Sequence, residues 1–259
     1  MTATQIPMDW QAWLRRWDAQ QTGLIPGREE RFSAMFDVLD VLLPARFVAL
    51  DLACGPGAIS QRLLARFPEA RCVALDVDPA LLALGQGALG DYGGRLRWVE
   101  ADLRHDTWLD QISGLSFDAV LSTTALHWLS DEPLTRVYAQ VAGALRPGGV
   151  LLNGDHMRFG GQLPTIERVA ATITTRDSAA AVARPGGEDW RMWWNALATE
   201  PAMQDLLAER ARRFPEAEAR GDEYAPTAAA HAAALRAAGF HEVDAIWQRW
   251  ESRVLMAVR

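Results

Sequence analysis

Between residues 45 and 155, short apolar runs alternate with amphipathic stretches. Phe47–Leu52 is apolar apart from one acid and lacks polar alternation, the pattern of a strand buried on both faces. Arg71–Asp76, Leu96–Val99, Phe117–Ser122 and Gly149–Asn153 read as further strands. Between them, Ser60–Phe67, Pro79–Leu89 and Leu134–Leu145 carry apolar residues at helical spacing. Strands alternating with helices predict βαβ units and a parallel, doubly wound sheet, hence an α/β fold.

The flanks follow a different rhythm. Trp10, Trp13, Leu14 and Trp17 lie on one face of a predicted helix that Pro26-Gly27 breaks. Phe32, Met35, Phe36, Leu39 and Leu43 mark a second helix, which Pro44 ends. Past Asp155 the alternation stops, and helical patterns broken by Gly and Pro run to about residue 226. Thr227–Ala238 predicts one more helix, closed by Gly239. Phe240–Trp247 and Arg253–Arg259 then predict an antiparallel hairpin. The expected organisation is one domain over 1–259. It comprises a helical cap (1–44), a core (45–155), a helical insert before the sixth strand (156–226), and a last helix with hairpin (227–259).

Composition narrows the function. The 26 basic and 33 acidic residues give a net charge of −7, which argues against nucleic acid as the main partner. There is no lysine in the sequence, which excludes a Schiff-base lysine, a P-loop lysine and a lysine general base. Two cysteines, Cys54 and Cys72, are too few for a disulfide framework or an all-cysteine zinc site, and fit a reducing cytoplasm. The opening residues lack the pattern of a signal peptide, and no apolar run reaches membrane-spanning length. The expectation is a cytoplasmic monomer or homodimer, with no membrane partner and no metal.

The first strand runs into Asp51-Leu52-Ala53-Cys54-Gly55-Pro56-Gly57. A Gly-x-Gly turn between strand and helix lets a ligand approach the backbone and the helix N-terminus. Asp51 puts a negative charge beside that turn. It would repel a pyrophosphate but suit a ligand bearing an ammonium and a sulfonium. Asp76 ends the second strand about 20 residues beyond the glycines, where an acid accepts both ribose hydroxyls of an adenosine. Val77 follows it. After the third strand, Asp102 is placed to accept an adenine amino group, with Leu103 packing on the ring. Three acids closing three successive strands converge on one crevice.

In these features the sequence resembles the class I S-adenosylmethionine-dependent methyltransferases. Asp51–Gly57 resembles their Asp/Glu-x-Gly-x-Gly loop, with Ala53 where the first glycine is usual. Phe117–Ser122 and Leu145-Arg146-Pro147-Gly148-Gly149 resemble the fourth strand and the turn before the fifth. Thr124-Ala125-Leu126-His127-Trp128-Leu129 is similar to the trans-aconitate and juvenile-hormone-acid methyltransferase group, which acts on small molecules. The resemblance implies a Rossmann-like seven-stranded sheet with the last strand antiparallel, and S-adenosylmethionine as cofactor, released as S-adenosylhomocysteine. It also implies cofactor contacts from Asp51, Ala53, Gly55, Gly57, Asp76, Val77, Asp102, Leu103, Thr123 and His127.

Methyl transfer disperses the sulfonium charge, so alignment and exclusion of water carry the rate. A base is needed only where the nucleophile is protonated. His127 and His156 follow the fourth and fifth strands and are the candidate bases, His156 together with Asp155. The position after the fourth strand reads Ser122-Thr123-Thr124-Ala125. It offers neither the Asn/Asp-Pro-Pro-aromatic run of adenine amino methylation nor the acid of a catechol metal site. For the acceptor, Trp17, Trp128 and Trp194 are candidates for an apolar lid, and Arg28, Arg31 and Arg158 for holding a carboxylate. The expected reaction is methylation of an oxygen, carboxylate or hydroxyl, on an apolar or aromatic small molecule. The alternatives are a protein of this fold that binds the cofactor for a non-methylating or scaffolding role, and, more remotely, a nicotinamide oxidoreductase.

Overall fold

A computed structural model describes residues 7–214 and 225–259; the first residues of the cap and the end of the insert lie outside the described residues. Two helices open the described chain, α1 (Trp10–Leu24) and α2 (Arg28–Leu42). The alternating region follows: β1 (Val48–Leu52), α3 (Ala58–Arg66), β2 (Arg71–Asp76), α4 (Pro79–Leu89), β3 (Leu96–Glu100) and the short α5 (Trp108–Gln111). After these come β4 (Phe117–Thr123), α6 (Asp131–Ala144) and β5 (Leu145–His156). The insert supplies α7 (Pro164–Val182), α8 (Trp190–Leu197) and α9 (Gln204–Arg213). The chain then adds α10 (Ala228–Ala237), β6 (Glu242–Arg249) and β7 (Ser252–Val258).

The seven strands form one sheet in the order β3-β2-β1-β4-β5-β7-β6. β1 to β5 are mutually parallel, and β7 runs antiparallel to both β5 and β6. This is the expected Rossmann-like sheet with an inverted last strand. Side chains alternate between its two faces. Leu50, Leu52, Val73, Leu75, Val120 and Leu151 face one core, closed by Leu134, Val137, Tyr138 and Val141 of α6 and Leu235 of α10. Ala49, Cys72, Ala74, Leu121 and Leu152 face the other, closed by Phe32, Met35, Phe36 and Leu39 of α2 and Ile59 and Leu63 of α3. Both faces are covered, which is why the strands read as unbroken apolar runs.

Local chemistry sets the element ends. Asp78 caps α4 by accepting from the backbone N–H of Ala80 and Leu81, and Pro79 fills the first helical position. Asp9, Asp189 and Thr227 cap α1, α8 and α10 in the same way. One expectation changes. Arg146–Gly149, read as a turn, lies within β5, because Leu145 already pairs with Phe117 and a register shift absorbs the extra residues.

The tryptophans form a third cluster. Trp13, Leu14 and Trp17 of α1 pack with Ala80, Leu81, Leu84 and Ala88 of α4 and with Trp193 and Leu197 of α8. The Trp17 ring lies 4.8 Å from that of Trp193 and 6.2 Å from that of Trp194. Trp17 and Trp194, expected to line an acceptor lid, instead join α1 and α8 to α4. Helical spacing alone accounts for the stripe.

Candidate functional site

The carboxyl ends of β1, β2 and β4 and the two turns that follow β1 and β4 build the site. The turn after β1 is shaped by positive φ angles at Ala53 (56°), Gly55 (53°) and Gly57 (85°). At Gly57 a side chain is ruled out by space as well, since a Cβ would sit 2.7 Å from the Trp98 ring. Ala53 holds a left-handed conformation that glycine would adopt without strain.

Asp51 points from β1 to the α2–α3 face, where its Oδ2 accepts from the Ser60 N–H (2.9 Å) and Oγ–H (2.7 Å). It is 1% exposed, and burial raises its carboxyl to about 7, the Ser60 bonds opposing this only in part. Asp76 accepts from the Gly55 N–H at 2.6 Å and from the backbone N–H of Val77 and Asp78. It thereby ties the glycine turn to the end of β2. Withdrawal from solvent raises it to about 6, against those three bonds. Among the described residues, neither acid has a cationic side chain in ion-pair range. The turn therefore offers carboxylates short of positive charge, which fits the ammonium and sulfonium of S-adenosylmethionine.

Asp102 binds Arg104 through both oxygens, Oδ1 accepting from Nε at 3.0 Å and Oδ2 from Nη2 at 2.7 Å. Burial works to raise it, but the Arg104 bonds outweigh this and lower its carboxyl. An adenine amino group would share those oxygens with Arg104. Leu103 is buried among Val99 and Trp108 in the core. Over this end of the site, α9 is fastened by Arg210 Nε to Asp78 Oδ2 (2.6 Å) and by Arg213 Nη1 to the Val77 carbonyl (3.2 Å) and Glu100 Oε1 (2.6 Å). The sequence reading missed α9 as a neighbour of the turn between β2 and α4. Its three basic residues in the last turn are an ordinary helix-end pattern and pointed to no partner.

At the other end, β4 and β5 lie side by side with Thr123 opposite Gly154. That register carries the loop after β4 to Asp155. Asp155 Oδ1 lies 2.6 Å from His127 Nδ1, and Oδ2 accepts the His127 backbone N–H at 3.0 Å. Asp155 is fully buried. Burial works to raise its carboxyl, but the His127 charge and hydrogen bond, with His231 and Arg31, hold it well below the usual carboxylate range. The pairing of Asp155 with His156 is corrected. Only the His156 backbone N–H reaches Asp155 (2.8 Å), while its ring faces Glu251 at 3.7 Å. Neighbours along a strand point to opposite faces, so the two side chains diverge.

The remaining expected residues separate. Trp128 is 48% exposed, with its ring 4.9 Å from that of His127. Thr123 Oγ donates to the Gly154 carbonyl at 2.9 Å. Arg28 is committed within the protein to Asp18 at 2.8 Å. Arg158 lies beyond β5, where its backbone bridges Thr227. Arg31 reaches the exit of β4, donating to Thr124 Oγ at 2.6 Å. Beneath the crevice, Asn153 donates to the Tyr138 hydroxyl, whose oxygen lies 2.6 Å from His231 Nδ1. A separate cleft of about 500 Å³ lies between the α1–α2 turn and α7; of the expected residues it touches only Arg28.

Residues 49–149 match the family model described as a methyltransferase domain. The trans-aconitate 2-methyltransferase of Deinococcus radiodurans is 31% identical over 68% of this chain and 79% of its own length. That of Methylobacterium radiotolerans is 33% identical over 66% of this chain and 60% of its own. Among solved structures, an O-methyltransferase family protein from Burkholderia thailandensis superimposes with a TM-score of 0.53 at 18% identity. That match covers 96% of this chain and 68% of the other, a likeness of fold. With the glycine turn, the acids at the carboxyl ends of β1 and β2 and the inverted last strand, these matches identify the chain as a member of the class I S-adenosylmethionine-dependent methyltransferases that act on small molecules.

Proposed function

We propose that the methyl acceptor is an oxygen, and that the Asp155–His127 pair prepares it. S-adenosylmethionine, when bound, supplies a methyl group made electrophilic by its sulfonium. Asp51 and the turn Ala53–Gly57 hold the methionyl end, Asp76 and Val77 the ribose, and Asp102 and Leu103 the adenine. Thr123 and His127 close the site from the β4 side. Asp155 accepts a hydrogen bond from the His127 Nδ1–H, fixing the tautomer in which Nε2 is the basic nitrogen. His127 then takes the proton of an acceptor hydroxyl as the oxygen attacks. Asp155 stabilises the imidazolium that results. Trp128, half exposed beside His127, supports an apolar or aromatic acceptor body.

The observation that carries this reading is the 2.6 Å Asp155–His127 contact at the crevice. A second reading has a carboxylate oxygen as nucleophile, with His127 only orienting it. It is supported by the relatives' name, trans-aconitate being a carboxylate.

The test is the purified protein with S-adenosylmethionine and a panel of hydroxylated and polycarboxylic small molecules. Products are read by mass spectrometry and their lability to mild base, which cleaves esters and spares ethers. An ether product whose formation is lost in His127→Gln supports the hydroxyl reading. An ester product that survives His127→Gln supports the carboxylate reading. Methylated nitrogen or carbon alone would overturn both.

A further inference from the structure

Arg31 is a buried cation that makes no ion pair among the described residues. It leaves the first turn of α2, is 1% exposed, and donates from Nη2 to Thr124 Oγ (2.6 Å) and from Nη1 to Ser252 Oγ (3.4 Å). Its Nε is buried without a hydrogen-bond partner. Among the described residues no carboxylate lies in ion-pair range of it. Burial pulls its guanidinium down to about 10, so it stays charged at neutral pH. Asp155 is the acid whose field it feels. Yet the oxygens of Asp155 already accept from the His127 N–H, His127 Nδ1 and the His156 N–H. Folded proteins pair or coordinate their buried charges, because an unpaired one is costly.

The surroundings are built for this side chain. Gly154 leaves it room, since a Cβ there would lie 3.1 Å from Arg31 Cδ and 3.2 Å from Cγ. Thr124, which accepts its hydrogen bond, is held at φ +54°, a conformation that β-branched residues avoid. Such strain gathers where ligands are gripped. Three elements far apart in sequence, α2, the exit of β4 and the start of β7, meet at this one guanidinium. The Nε–H and an Nη hydrogen share one edge of the fork, the edge that matches the two oxygens of a carboxylate.

We propose that Arg31 is the anchor for a ligand carboxylate in the crevice, beside the Asp155–His127 pair and apart from the glycine turn. The proposal rests on the small-molecule methyltransferase reading and names a determinant of what that site accepts. Two ligands carry the required group: the methionyl carboxylate of the cofactor, and a carboxylate on the acceptor.

Calorimetric titration of the full chain separates them. The probes are S-adenosylhomocysteine, its decarboxylated analogue with the amine retained, and citrate added to the protein saturated with S-adenosylhomocysteine. The proteins are wild type, Arg31→Lys and Arg31→Met, each checked by circular dichroism and melting. If the cofactor carboxylate is held, wild type prefers S-adenosylhomocysteine over the decarboxylated analogue by about tenfold or more. Arg31→Met then erases that preference. If the acceptor carboxylate is held, the two adenosyl ligands bind alike, and citrate binds wild type but not Arg31→Met. Arg31→Lys keeps part of either effect, because it keeps the charge and loses the fork. The proposal is overturned if wild type shows neither preference, or if a folded Arg31→Met keeps it. Should Arg31→Met not fold, wild type and Arg31→Lys decide on the same terms. Failure of the methyltransferase reading looks different: wild type would bind no adenosyl ligand at all.

Discussion

Asp155 grips His127 twice, once at the ring Nδ1 (2.6 Å) and once at the backbone N–H (3.0 Å). One carboxylate therefore fixes both the position of the loop after β4 and the tautomer of its histidine. Asp155→Asn is expected to lower kcat by about 100-fold or more on a hydroxyl acceptor, with little change in S-adenosylhomocysteine affinity. His156→Gln, whose ring faces Glu251, should stay within about threefold of wild type by the same scale. Steady-state kinetics with both variants check this. An inactive His156→Gln beside an active Asp155→Asn would reverse the assignment.

Cofactor affinity should depend on pH through Asp51 and Asp76. Their carboxyls are raised to about 7 and about 6 without ligand, so below pH 6 both carry protons. A cationic ligand favours the ionised forms. Binding therefore releases protons, and affinity rises with pH up to about 7 and levels off above it. Calorimetry in two buffers of different ionisation enthalpy reads the released protons directly. In Asp76→Asn the rise should shrink.

The same burial makes Asp51 a cost to the ligand-free fold. Its folded carboxyl sits above the ordinary value near 4. Stability is thus lost as pH rises from about 4 to about 7, and the loss is complete above that. At pH 8, Asp51→Asn should raise the stability of the free protein, on the order of 2 kcal/mol, while weakening cofactor binding. Urea denaturation at pH 5 and pH 8 tests it; the gain should be small at the lower pH.

Ala53 sits at φ +56°, where a Cβ is strained. Ala53→Gly should stabilise the protein by up to about 1 kcal/mol, the relief exceeding the added chain entropy. A shift of the denaturation midpoint at unchanged slope is the expected result.

Gly85 lies on α4, where a Cβ would come within 2.4 Å of the Trp98 ring and 2.8 Å of the Pro56 carbonyl. Gly85→Ala should cost about 1–3 kcal/mol and weaken S-adenosylhomocysteine binding through the displaced turn. Adding Trp98→Leu should recover stability more than binding, because the clash with the Pro56 backbone persists.

The strands and the glycine turn were legible because their signals are local. An apolar run such as Phe47–Leu50 or a turn such as Gly55-Pro56-Gly57 carries its meaning within a few residues. The partner of Asp155 was not, since it depends on the β4–β5 register that sets Thr123 against Gly154. Reading along the chain favoured His156, the nearer residue in sequence. The arginines near α2 gave the same difficulty. Arg28 and Arg31 look alike in sequence, yet one meets Asp18 and the other meets hydroxyls alone. The tryptophan stripes were legible as a helix face, but not as the seam between α1, α4 and α8.

The inverted last strand has a consequence for the order of assembly. Because β7 runs against its neighbours, its beginning, at Ser252, lies opposite His156 at the edge where the parallel strands finish. A growing chain has made β1, the glycine turn and β2 long before that residue exists. Arg31 is then waiting for one of its two hydroxyl partners, and the core on the α2 side still lacks Val254. The glycine turn is thus a product of early synthesis, while the surroundings of Arg31 are finished only when the closing hairpin docks.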